Sequence, residues 1–103
     1  MNQTIKLNVY NKNNNEYYFK INDKLYLTIG YDYIAKSFFC FYDWDIEIYN
    51  TNTIIINLSI DDVNYIVEYL DTLLEVFEVD IDWYPDIIRT KKLLKFKTKL
   101  KLL

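Results

Sequence analysis

Alternation of apolar and polar positions dominates the first half of the chain. Ile5, Leu7 and Val9 alternate with Lys6, Asn8 and Tyr10, the period of a strand with one face buried. Asn11 to Asn15 reads as a turn, because asparagine tolerates left-handed backbone and bonds to its own main chain. Tyr17, Phe19 and Ile21 then alternate with Tyr18 and Lys20, and Asn22-Asp23 separates them from Leu25, Leu27 and Ile29, which predicts a hairpin. Gly30 is expected to close the third strand. Tyr31 to Lys36 is ambiguous, whereas Phe38 to Tyr42 is apolar on both faces, as in a central strand or one whose outer face meets a partner.

Trp44, Ile46 and Ile48 alternate with Asp43, Asp45 and Glu47, so a fifth strand would hold three carboxylates outward in a row. Asn50 to Asn52 supplies a turn, and Thr53 to Leu58 is a β-branched run suited to a well-buried sixth strand. The period then changes. Ser59 and Asp62 form a capping-box pattern, and Val63, Ile66, Val67, Leu70, Leu73, Leu74 and Phe77 follow helical spacing, which predicts a helix over about residues 60–78. Val79, Ile81 and Trp83 read as a short strand before Pro85. Leu94, Phe96, Thr98, Leu100 and Leu102 alternate with Lys95, Lys97, Lys99 and Lys101, giving a strand with a lysine edge. The competing helix would carry Leu93, Phe96, Leu100 and Leu103 on one side. The pattern predicts an α+β fold in which one long amphipathic helix packs across a mostly antiparallel sheet, as a single domain spanning 1–103.

Composition adds charge to this picture. The 103 residues include 15 acids and 12 bases, no histidine and a single cysteine. The net charge of −3 conceals a polarity: 12 acids and no base lie between Ser37 and Ile88, and seven bases and no acid between Arg89 and Leu103. No run approaches a membrane span and no signal peptide opens the chain, so a soluble, cytoplasmic protein without membrane attachment is expected. Cys40, within Phe38–Tyr42, is expected to be a reduced, buried thiol.

The acids offer the candidate chemistry. On the helix, Glu68, Asp71, Glu75 and Glu78 form a stripe at i, i+3 and i+4 spacing, beside Tyr65 and Tyr69. Like charges so spaced cost about 0.2–0.5 kcal/mol per pair, and acids near a helix C-terminus oppose its dipole, so helix stability does not account for them. A solvated acidic face is the plainer reading. A second group comprises Asp43, Asp45, Glu47, Asp80 and Asp82. If the lysine strand lay beside an acidic strand, the two ladders would neutralise each other at roughly 0.2–1 kcal/mol per pair.

With no histidine and no base to pair with Cys40, the chain reads as non-enzymatic and without cofactor. Acid-x-acid runs could hold Mg²⁺, yet such runs are common in acidic chains and no metal site is expected. Pro85-Asp86 begins a nuclease pattern that needs a later acid, and none follows. The expected partner is a basic protein, such as a nucleic-acid enzyme whose phosphate-binding groove the carboxylates would occupy. In size, charge and AT-rich codon bias the chain resembles small acidic phage proteins that inhibit restriction or CRISPR systems and mimic the charge of DNA. No motif assigns it to a named family. An antitoxin or immunity-type protein is the first alternative. The second is a nucleic-acid-binding module using Lys91, Lys92, Lys95, Lys97, Lys99 and Lys101 with exposed aromatics, against which the acidic block stands.

Overall fold

The computed structural model describes residues 3–48, 52–75 and 81–102, and it shows an α+β architecture. Five strands, β1 (Thr4–Asn13), β2 (Glu16–Lys20), β3 (Leu25–Asp32), β4 (Ser37–Trp44) and β5 (Thr53–Ser59), form one sheet in the order β4-β3-β2-β1-β5. The β1–β2, β2–β3 and β3–β4 pairings are antiparallel. Helices α1 (Ile60–Glu75) and α2 (Tyr84–Leu102) follow, joined through a 3₁₀ turn at Ile81–Trp83. The chain divides into two compact units, Leu7–Ile56 and Met1–Lys6 with Asn57–Leu103.

In the strand unit, register sorts the side chains into two faces. Leu7, Val9, Phe19, Ile21, Leu25, Leu27, Ile29 and Cys40 are buried on one face, as their alternation requires. The hairpin between β2 and β3 turns at Asn22, whose Oδ1 accepts from the N–H groups of Lys24 (2.8 Å) and Leu25 (2.7 Å). Burial of the Cys40 thiol pushes its pKa up to about 12, so the group stays protonated at neutral pH.

The other face is less polar than alternation suggests. Tyr10, Tyr18, Thr28 and Phe41 lie opposite one another across four strands. Tyr26 meets Tyr10 and Tyr18 edge-on at ring separations of 6.3 and 6.2 Å, which is how it comes to be buried on an outward-facing row. The register of β1 against β2 shifts between Asn11 and Asn13, and this bulge frees Lys12 from the ladder. Its ammonium sits 5.2 Å from the ring centres of both Tyr18 and Phe41 and donates to Thr28 Oγ1 at 3.3 Å.

Several expected boundaries move. The turn predicted over Asn11–Asn15 contracts to its end, since β1 runs to Asn13 and Asn15 takes the left-handed conformation (φ 70°). Gly30 does not close β3, which continues to Asp32. The Phe38–Tyr42 run is no central strand but the middle of edge strand β4, with Phe41 and Trp44 exposed. The expected strand through Asp43, Asp45 and Glu47 is absent: Asp43 and Trp44 pair with Tyr26 and Leu25 as the end of β4, and Asp45 at φ 52° turns the chain away. Thr53–Leu58 is a strand, but an edge one in which only Leu58 is buried.

In the helical unit, Ser59 caps α1 as its spacing predicts, its Oγ accepting from the Asp62 N–H at 3.1 Å. Such a cap contributes about 1 kcal/mol. Val63, Ile66, Val67, Leu70 and Leu73 form the buried side. The helix is described to Glu75, so the expected end at residue 78 lies outside the described residues.

Two strand predictions fail in this unit. Ile81–Trp83 is a 3₁₀ turn with Ile81 largely exposed, while Val79 and Asp80 lie outside the described residues. The lysine-edged segment is the second half of helix α2. Pro85 suits the first turn of a helix, where its missing N–H costs nothing, and lysines near the C-terminus complement the dipole. Leu and Lys also favour helix over strand. Ile87, Thr90, Leu94 and Thr98 are buried, and the threonine hydroxyls donate to the carbonyls of Asp86 (2.8 Å) and Leu94 (3.0 Å), which satisfies them inside the helix. The competing helix reading named the segment correctly; its Leu93, Phe96 and Leu100 face out, and Leu103 lies outside the described residues.

Candidate functional site

The outward side of α1 is built by the same periodicity that buries its other side. Asp61, Asn64, Tyr65, Glu68, Thr72 and Glu75 are exposed along it, and the helix holds no basic residue. Asp61, Glu68 and Glu75 are seven residues apart, so about 10.5 Å separates successive carboxylate-bearing positions along the axis. None of the three forms an ion pair among the described residues. Tyr65, Glu68, Tyr69 and Thr72 line a shallow depression of about 190 Å³ beside them. The Thr72 hydroxyl donates to the Glu68 carbonyl at 3.1 Å.

The predicted stripe therefore divides. Glu68 and Glu75 lie on the outward side, with Tyr65 next to Glu68 and Tyr69 half-buried at the edge of the depression. Asp71 turns instead toward α2 and is ion-paired with Lys91. The ion pair gives Asp71 a local reason to be acidic that the sequence does not reveal. Glu78 lies outside the described residues.

The second group of acids does not assemble. Asp43 is half-buried on β4 and accepts a 2.6 Å hydrogen bond from Thr28 Oγ1, in the same network as Lys12. Asp45 sits at the chain reversal, where its N–H donates to the Lys24 carbonyl at 3.0 Å. Glu47 follows beyond the end of β4, Asp82 belongs to the 3₁₀ turn, and Asp80 lies outside the described residues. The imagined ladder of lysines against strand acids is also absent, because the lysines are helical and Asp43, Asp45 and Glu47 share no strand. Among the described residues, no three His, Cys, Asp or Glu side chains gather as a group that could hold a metal ion.

Sequence reasoning misses the polar network on the outward sheet face, where Thr28 links Lys12 to Asp43 and Lys12 also approaches Glu16 at 3.7 Å. A lysine in an asparagine-rich stretch reads as loop, and only the bulge places it above the rings. The outward apolar row of α2 is visible in the sequence as one side of the competing helix, but not as an exposed one. Comparison with family models, with curated proteins and with solved structures gave no match.

Proposed function

We propose that the protein acts by binding, with the outward side of α1 docking a basic protein surface of the kind that otherwise grips nucleic-acid phosphates. The observation that carries this reading is the set Asp61, Glu68 and Glu75, without ion pairs among the described residues, on a helix without a base, flanked by exposed Tyr65. Tyrosine supplies contact area with a polar tip, and the carboxylates supply field complementarity that steers encounter and selects the partner. By occupying such a groove the protein would inhibit the enzyme that owns it. Asp71 is excluded from the contact set because Lys91 already holds it.

The test compares wild type with Asp61→Lys/Glu68→Lys/Glu75→Lys, all exposed positions, after checking by circular dichroism that the variant folds. Partners captured by wild type in the cells that produce it are purified, and their affinity is measured at low and high salt. The triple variant is expected to lose about a hundredfold or more in affinity, and wild-type binding is expected to weaken with salt. Undiminished binding by the folded variant would refute the reading. A nucleic-acid enzyme among the captured partners supports inhibition, and a toxin supports the immunity alternative.

A further inference from the structure

We infer that the outward side of α2 is a docking surface for an anionic lipid bilayer. The inference uses a different helix from the proposed protein contact and does not rest on it. Leu93, Phe96 and Leu100 are 50, 58 and 54% exposed, although each is large and apolar. At about 100° per residue they fall within one sector of about 60°, on a different side of the helix from the buried Ile87, Thr90, Leu94 and Thr98. A helix that is apolar on two sides is made to be covered on both.

Charge states what covers the second side. Lys92 and Lys99 flank the row on one side, Lys97 and Lys101 on the other, and none of these four pairs with an acid among the described residues. The one acid of α2, Asp86, is at the far end and is paired with Arg89 at 2.7 Å. Lysine stems are long enough to lie along apolar groups while the ammonium stays in the polar layer. A helix lying flat on a bilayer needs this cross-section: apolar side chains pointing down, and cations spreading sideways at the depth of the headgroups.

A second feature adjoins the row. Ile5, Lys6, Lys97, Leu100 and Lys101 line a depression of about 210 Å³, with no acid among them. Lys97 Nζ donates to the Lys6 carbonyl at 3.2 Å, which fixes one cation there. Three lysines and two apolar side chains around one depression suit one anionic headgroup with the first part of its acyl chain. A nucleic acid would use the lysines and stack on Phe96, but Leu93 and Leu100 would gain nothing from it. No described helix is long and apolar enough to cross a membrane, so the attachment is to the surface.

Flotation of the full chain with vesicles tests this. Wild type is expected to float with vesicles of phosphatidylcholine containing phosphatidylserine and not with phosphatidylcholine alone. The partition should fall at least about tenfold in Lys92→Glu/Lys99→Glu, and by a similar factor in Phe96→Asp/Leu100→Asp. All four positions are exposed, and thermal melts confirm that each variant folds. Absence of wild-type flotation at low salt overturns the inference. So does equal flotation of Phe96→Asp/Leu100→Asp, since the row would then have no part. A gel shift with single-stranded DNA that matches the vesicle affinity and survives Phe96→Asp/Leu100→Asp would assign the lysines to nucleic acid, again overturning it.

Discussion

Leu94→Ala is expected to destabilise the protein by about 2–5 kcal/mol, while Leu100→Ala six residues later changes stability by less than about 0.5 kcal/mol. The contrast follows from the side of α2 each residue occupies. Leu94 is fully buried, and truncating it removes apolar contacts and leaves a cavity that its neighbours fill only in part. Leu100 is more than half exposed, and its loss leaves no hole. In a strand with lysines outward, both leucines would share the inward face and cost alike. Urea denaturation of the two variants therefore tests the helix as well as its orientation. Similar losses for both would rule out the described geometry.

Gly30→Ala is the second large effect, a loss of about 2–3 kcal/mol at the upper end of the usual overpacking range. A β-carbon on Gly30 would stand 2.8 Å from the Asn15 carbonyl oxygen and closer still to Phe39 Cζ. The Phe39 ring can shift. Asn15 cannot easily do so, because it is the left-handed residue that closes the tight turn between β1 and β2. The combination Gly30→Ala/Phe39→Ala separates the two obstacles: if the backbone is the harder one, removing the ring recovers little. Stability of Gly30→Ala equal to wild type would show that the two strands do not approach this closely.

These positions also show what the sequence made legible. Alternation in Ile5, Leu7 and Val9 and the period and cap of α1 set element and face together, because one side of each is buried and the other is not, whereas β3 alternates in sequence yet is buried on both faces from Leu25 to Gly30. The segment after Arg89 is different. Its lysines recur every second residue, which matches an edge strand, yet their charge carries no information about backbone form. Two of the three described residues it buries, Thr90 and Thr98 beside Leu94, are threonines, invisible to any apolar template, and three of its largest apolar residues face out. The misread boundary at Asp43 has a similar origin. Asp43 has the polarity of a turn residue but stays in the sheet, because Thr28 on the neighbouring strand offers it a hydroxyl.

The candidate site was legible as a helix rich in acids, and that much depends only on residue spacing. Which acid faces out depends on the neighbour. Asp71 could be separated from Glu68 and Glu75 only once Lys91 was placed on the adjoining helix. A stripe drawn from one helix therefore overcounts the charges open to a partner.

The division of charge between α1 and α2 also governs how the molecule orients. Five acids on one helix and seven bases on the next, joined by the single Lys91–Asp71 bridge among the described residues, give the helical unit a permanent electric dipole. Near the isoelectric point of about 4.8 the net charge vanishes but that dipole does not. The helical unit then favours meeting a charged surface with one helix rather than the other.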